Sequence, residues 1–207
     1  MTQKPLTERP ILFNGEMVRA ILEGRKTQTR RVIKPQPVRD ERDATWWLGD
    51  LRMMPPTMIS DIVQVMKKCP YGQPGDRLWV REAFQIAPRT AYRFDPKIHP
   101  NCWQTLRPDD NHDAAVYREG WTRCDPGRWK PSIHMPRWAS RITLEVTDVR
   151  VEQLRAISQN DARAEGFDGV DARAPFHLVW NSVYASRGLG WEKDPWVWVV
   201  EFRRIDV

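Results

Sequence analysis

A chain of 207 residues with 41% hydrophobic content and 11 tryptophans can bury a real core, so it reads as a globular protein. Its 33 basic against 27 acidic residues give a formal charge of +6 and a pI near 9.5, a bias towards anionic partners, nucleic acid among them. The start, MTQKPLTERP, lacks an apolar h-region and nowhere do about 18 apolar residues run together, so neither secretion nor membrane insertion is indicated and a cytoplasmic location is expected.

Asn14 is a good N-cap, Phe13 can staple onto Val18, and Met17, Ala20 and Ile21 form an apolar stripe that ends at Gly24; this predicts a helix over 15–23. Beyond it Thr27, Thr29 and Arg31 alternate with Gln28, Arg30 and Val32 until Pro35 and Pro37 stop any ladder, which predicts a strand over 27–33. Residues 36–70 mix charges with Pro55-Pro56 and a Trp46-Trp47 pair, and read as an irregular insertion with a strand at Ile62 to Met66. Tyr71-Gly-Gln-Pro-Gly-Asp76 is a turn. The strand after it, within 77–84, sets Trp79 and Arg81 on one face and Leu78, Val80 and Glu82 on the other. Residues 86–131, rich in Pro, Asp, Asn and Arg, read as a second irregular insertion with one strand-like island at Ala114 to Arg118.

Over 141–150 Ile142, Leu144 and Val146 face one way and Thr143, Glu145 and Thr147 the other, the alternation of a half-buried strand. Ser158 with Asp161 resembles a capping box opening a short helix that Gly166 closes. Phe176, Val179, Trp180, Val183 and Tyr184 have the spacing of a core-facing helix within 175–186, and Pro195 precedes a last strand over 196–205. Trp79, Trp180, Trp196 and Trp198 sit in these periodic elements and are assigned to the core. Nothing repeats and no linker shows, so one α+β domain is expected over 1–207, a small mixed sheet or β-barrel decorated by short helices.

Cys69, Cys102 and Cys124 are too few and too scattered for a disulfide framework. With His99, His112 and His134 they show no C-x-x-C or H-x-x-x-H spacing, so no metal and no cofactor is expected.

Gly24-x-Lys26-x-x-Thr29-x-Arg31, the Gly75-Asp76-x-Leu78 turn and strand, and Ala164-Glu165-Gly166 after a short helix resemble an ASCH domain, a member of the PUA-like β-barrel group. The resemblance covers residues 11–35, 70–84 and 132–205, with the two irregular stretches as insertions, and Ile133-His-Met-Pro-Arg-Trp138 is similar to prophage-encoded members. Many ASCH proteins hold glutamate at the position of Thr29. This chain instead resembles the small bacterial branch that hydrolyses N4-acetylcytidine, where a lysine, a threonine and a glutamate carry catalysis. By position these are Lys26, Thr29 and Glu165, with Arg25, Arg31, Arg137 and Trp138 as candidate substrate contacts. The partner so implied is a modified nucleoside or single-stranded RNA, and no obligate protein partner is evident.

The chemistry fits those residue types. Amide hydrolysis needs a nucleophile, a group to take its proton, and a donor for the leaving amine or the oxyanion. Thr29 can be the first, and Lys26 the second if burial with Arg25, Arg30 and Arg31 nearby lowers its pKa. Glu165, in the last turn of a helix, faces the negative end of the helix dipole at a cost of about 0.3 to 1 kcal/mol, and a partner lysine would explain it there. Lys26 and Thr29 are three apart, so a strictly extended strand sends them to opposite faces; a turn or bulge at Gly24 to Lys26 is required.

Other readings stay open. Lys26, Arg30 and Arg31 can be a solvated basic face, and Glu165 a surface ion-pair partner. Arg128, Trp129, Lys130, Arg137, Trp138 and Arg141, with no acid between, read as a nucleic-acid face with stacking platforms, or the tryptophans as core. Three functions follow: an amidohydrolase on N4-acylated cytidine or a related nucleoside, a non-catalytic module binding RNA or a modified base, and a ribonuclease.

Overall fold

A computed structural model describes residues 7–42, 46–48, 51–53, 68–92, 104–109 and 112–206. Its first strands in chain order are β1 (Glu8–Leu12), β2 (Gln28–Val32), β3 (Val38–Arg39), β4 (Trp46–Leu48) and β5 (Leu51–Met53). There follow β6 (Arg77–Arg81), β7 (Phe84–Pro88), β8 (Gln104–Leu106), β9 (Asp113–Tyr117), β10 (Thr143–Gln153) and β11 (Trp196–Ile205). The α-helices are α1 (Gly15–Leu22), α2 (Gln159–Ala164) and α3 (Arg173–Tyr184). This is a mixed α+β chain built mostly of strands, and no pairing among the described residues closes a strand ladder into a barrel. Among those residues no helix is long and apolar enough to cross a membrane.

Contacts gather the residues into two compact units. The first holds residues 1–24, 77–145 and 204–207. Here β1 lies parallel to β6, with Glu8 opposite Arg77 and Leu12 opposite Arg81. β6 pairs antiparallel with the start of β10, Trp79 opposite Thr143. Leu78, Val80, Ile142 and Leu144 are fully buried, as the two-residue period requires of one sheet face. Asn14 Oδ1 accepts the Met17 N–H at 2.9 Å, which starts α1, and Val18, Ala20 and Ile21 are its buried stripe.

Residues 86–131 are more regular than their composition suggests. β7, β9 and β8 form an antiparallel sheet in that order, and Phe84, Ala115, Tyr117, Met135 and Ala139 form a core on it. The Tyr117 hydroxyl donates to Ala139 O at 2.8 Å, which ties the sheet to the 3-10 turn Arg137–Ala139. Trp79 is only half-buried and carries the Arg81 guanidinium 5.1 Å over its ring, so its assignment to the core does not stand.

The second unit holds residues 25–76 and 146–203. β11 lies between β10 and β2, with Val199 opposite Arg30 and Glu201 opposite Gln28. Leu154, Ile157, Ala162, Phe176, Trp180, Val197 and Val199 pack together, so α2 and α3 are fixed by the apolar face of the sheet. Trp198 and Trp180 are buried as expected, but Trp196 is half-buried and Val183 is 43% exposed, while Tyr184 still packs against this cluster. Within the expected first insertion, β3, β4 and β5 form a small antiparallel sheet, while Ile62 to Met66 lies outside the described residues.

Candidate functional site

The site in the second unit is assembled where α2 ends against the start of β2. Ser158 and Asp161 close a reciprocal capping box, Asp161 N–H to Ser158 Oγ and Ser158 N–H to Asp161 Oδ2, both at 3.1 Å. The helix then lasts six residues, and Glu165 is its C-cap with Gly166 at φ +97° beyond it. At the other partner, Gly24 takes φ +75° at the end of α1 and frees the chain to turn into Lys26. Lys26 forms an isolated antiparallel bridge with Glu165, and the Thr27 N–H donates to Ala164 O at 2.8 Å. The end carbonyls of a helix have no partner within it, and here the incoming strand supplies donors for them.

The Lys26 ammonium donates to Glu165 Oε2 at 2.6 Å, to Glu165 O at 2.9 Å and to Gln28 O at 2.8 Å. Lys26 is 2% exposed and Glu165 3%, so the pair is dry. A cation placed on the last carbonyls of α2 answers the question of why a carboxylate is tolerated there. Burial pushes the Lys26 pKa below its ordinary value; Glu165 opposes the shift, and the Arg31 and Arg30 charges add to it. Glu165 Oε1 accepts no hydrogen bond and stands 3.6 Å from Arg30 Nη1.

Alternation along β2 puts Gln28 and Arg30 on one face and Thr29 and Arg31 on the other. Gln28 and Arg30 are the buried members of a partly buried network of polar and charged side chains. Arg30 donates to Gln28 Oε1 and reaches Glu152 Oε2 at 3.0 Å; Gln28 Nε2 donates to Asp161 Oδ1 and Glu201 Oε1, both at 3.1 Å. Arg150 closes it through Asp161 at 2.9 Å, Glu152 at 2.5 Å and Glu201. Burial alone would raise the Asp161 pKa, but hydrogen bonds from Ser158 and Gln28 and the Arg30 charge outweigh it and bring it to about 2.

The other face of β2 borders a cavity of about 610 Å³, walled by Arg31, Lys34, Lys68, Tyr71, Arg187 and Trp198 among others. Thr29 is 2% exposed and shares the face of Arg31. Arg31 couples the cavity to the pair, since its charge is one of those that depress Lys26.

Lys26 and Glu165 are thus brought together, and neither is a solvated surface group. Arg25 donates to Gly166 O at 2.9 Å and Asp168 Oδ2 at 3.2 Å, holding the loop after α2 from an exposed position. The remaining candidates belong to the first unit. Arg137 pairs with Glu8 at 2.8 and 3.2 Å, and Trp138 is half-buried against the Phe84 core with the Arg107 guanidinium 5.8 Å over its ring. Arg128 and Lys130 are exposed; Trp129 is half-buried, edge-on to Trp121 at 5.8 Å. The Arg141 side chain is only 5% exposed, forked onto Glu82 at 2.8 and 2.9 Å, with its guanidinium 4.2 Å from the Tyr117 ring centroid.

Sequence reading missed Asp161, Glu152 and Gln28 as part of the charge network, and Lys34, Lys68, Tyr71 and Arg187 at the cavity. One signal was present: Gln28 and Arg30 occupy positions in register with Val32, where a half-buried strand ordinarily carries apolar residues. Comparison of the chain with protein-family models, curated proteins and solved structures finds no match. Among the described residues, no group of three His, Cys, Asp or Glu side chains can hold a metal ion.

Proposed function

We propose that the chain is an ASCH-type member of the PUA-like group and that its second unit is an amidohydrolase removing an acyl group from N4-acylated cytidine or a related modified base. The observation that carries this reading is the dry Lys26–Glu165 pair, with a depressed lysine at 2.6 Å from a carboxylate whose second oxygen accepts no hydrogen bond. A titratable group perturbed by burial and held by a specific charge partner is a candidate for proton-transfer chemistry. Gly24 in the left-handed region and Glu165 at a helix end also place the motif residues at chain reversals, where a site can be built.

In this mechanism the Thr29 hydroxyl adds to the acyl carbonyl while its proton passes to the Lys26–Glu165 pair. The tetrahedral oxyanion collapses, and the cytosine amine leaves with that proton. Water then hydrolyses the acyl-threonine to the free acid. Arg31, on the face of Thr29, supplies positive charge where the oxyanion develops.

A second reading, a non-catalytic module for RNA or a modified base, is favoured by the burial of both Lys26 and Glu165 and by the acceptors already engaged by the ammonium. Purified protein incubated with N4-acetylcytidine, followed by liquid chromatography, decides between them. Turnover that falls about 100-fold or more in Glu165→Gln supports the hydrolase. A folded wild type that binds the nucleoside and never releases acetate leaves the binding module.

A further inference from the structure

We propose that Gln28 and Arg30 are positioning residues for the Lys26–Glu165 pair: they hold a guanidinium beside Glu165 Oε1 but out of bonding reach, which leaves that oxygen open to a proton. This rests on the reading of the pair as the proton acceptor of a hydrolase. The Arg30 side chain is 0% exposed, and its Nη1 stands 3.6 Å from Glu165 Oε1, beyond the about 2.7 to 3.2 Å of an N–H···O bond. Oε1 accepts no hydrogen bond, although Oε2 takes the Lys26 ammonium at 2.6 Å.

A buried arginine beside a carboxylate readily forks onto both of its oxygens. Arg141 does so in the first unit, onto Glu82 at 2.8 and 2.9 Å. Arg30 is kept from it by other acceptors. Its Nη1 donates to Gln28 Oε1, while its Nη2 reaches Glu152 Oε2 on β10 at 3.0 Å and has Asp161 Oδ2 on α2 at 3.6 Å. The Gln28 amide is locked with its oxygen towards Arg30, because its nitrogen donates to Asp161 Oδ1 and to Glu201 Oε1 on β11, both at 3.1 Å. Arg150, itself partly exposed, ties the three acids together from β10.

One residue serves both partners. Gln28 holds Arg30 with its side chain, and its carbonyl oxygen accepts the Lys26 ammonium at 2.8 Å, so lysine and guanidinium are set from a single point on β2. In the proposed reaction the Thr29 proton passes to the pair, and Oε1 is its oxygen with no bond to give up before accepting it. A guanidinium closed onto Oε1 would occupy the place of that proton. The charges facing Lys26 are Glu165 from the end of α2 and Arg30 and Arg31 from β2. Burial lowers the Lys26 pKa first, Glu165 opposes this, and the two arginines add to the lowering. Glu152, Asp161, Arg150 and Glu201 act on it at one remove, through Arg30.

The test is a pH titration of the full chain by NMR with isotope-labelled lysine side chains, Lys26 being assigned as the signal lost in Lys26→Met. Hydrolysis of N4-acetylcytidine is measured in parallel. Two substitutions carry opposite signs. Arg30→Gln removes a cation that depresses Lys26 and should raise the pH at which Lys26 titrates. Glu152→Gln removes the acid on Nη2 and lets Arg30 close onto Oε1; Glu165 is then shared between two cations, and Lys26 should titrate at lower pH. A network with a merely structural role would loosen and admit water on either change, raising the titration in both. Opposite shifts support the proposal; a shift of the same sign in both, or none in either one, overturns it. Should Arg30→Gln not fold, Glu152→Gln decides alone, since that side chain is 24% exposed. In the assay Glu152→Gln should lower kcat about tenfold or more with KM within about twofold, because it closes Oε1 and leaves the substrate contacts in place. Unchanged turnover in Glu152→Gln sinks this inference and spares the hydrolase; opposite Lys26 shifts in a chain that hydrolyses nothing leave the positioning and sink the hydrolase.

Discussion

Lys26→Met is the most informative perturbation of the second unit. It removes an ammonium with 0% exposed side chain that lies 2.6 Å from the Glu165 carboxylate, and it leaves that carboxylate in a dry site. Removing one partner of a buried ion pair costs about 3 to 5 kcal/mol, because the remaining charge is uncompensated. Arg30 Nη1, 3.6 Å from Glu165 Oε1, offsets part of this and places the expected loss near the lower end. For a chain of this size a loss of about 3 kcal/mol lowers the melting temperature by roughly 6 to 12 °C. Neutralising both groups in Lys26→Met/Glu165→Gln should cost less than the sum of the single changes by more than about 1 kcal/mol.

The pH dependence carries a sign of its own. The folded pKa of Lys26 lies below its unfolded value, so the unfolded chain holds the proton longer. The penalty for a charged Lys26 is therefore complete below the folded pKa and is relieved as pH rises from that value towards the unfolded one. Wild-type stability should gain from this group across that window, and Lys26→Met should lack the gain. Urea titrations followed by tryptophan fluorescence at neutral and alkaline pH measure both effects. A loss within about 1 kcal/mol, the behaviour of an exposed pair, would refute a dry Lys26–Glu165 contact.

Arg141→Met should destabilise the protein by about 3 to 5 kcal/mol at pH 7, since Glu82 then stays buried without its forked cation. Burial already raises the Glu82 pKa against Arg141, so stability from this group falls as pH rises from its unfolded to its folded value; the variant deficit should shrink in melts at about pH 5, and a pH-independent deficit would contradict this. Gly24→Ala, at φ +75° with nothing within 4 Å of an added Cβ, should cost about 1 to 2 kcal/mol of backbone strain alone, and an unchanged denaturation midpoint would argue against the left-handed turn. On the basic face only Arg128 and Lys130 stand exposed without the burial of Arg141 or the Glu8 pairing of Arg137, so any single-stranded RNA binding there should show a salt slope near about 1.4, halved by Arg128→Ala. A slope near about 2.8 would return Arg137 and Arg141 to the phosphates.

What was legible in the sequence was local. Asn14, the apolar residues Met17, Ala20 and Ile21, and Gly24 marked α1 because capping and periodicity act within a few residues, although Val18 and not the half-buried Met17 completes the buried stripe. Ser158 and Asp161 define α2 for the same reason. The partner of Lys26 is 139 residues away, and no spacing rule reaches it; only the family resemblance suggested Glu165. Arg141 misled because a basic run without acids looks solvated, whereas its acid, Glu82, comes from 59 residues earlier in the chain. In residues 86–131 the island read at Ala114 to Arg118 is β9, whereas β7 and β8 were obscured by their shortness and by Pro88 at the end of β7, although β7 and β9 bury Phe84, Ala115 and Tyr117 together.

Stability alone is a weak reason for the Lys26–Glu165 pair. Replacing a buried ion pair by well-packed apolar residues of similar volume is often neutral or favourable by about 1 to 4 kcal/mol. Glu165 bears a further cost, since a carboxylate at the last turn of a helix opposes the dipole by about 0.3 to 1 kcal/mol, even though Lys26 compensates there. An apolar pair would also leave no buried carboxylate oxygen without a hydrogen bond, as Glu165 Oε1 is left here. Neither residue lines the cavity, and the link to it is the Arg31 charge that depresses Lys26; the costs are offset if the pair exchanges a proton during turnover. A Lys26→Met/Glu165→Leu variant that is as stable as wild type but inert would separate the two roles. One that unfolds would return the pair to architecture.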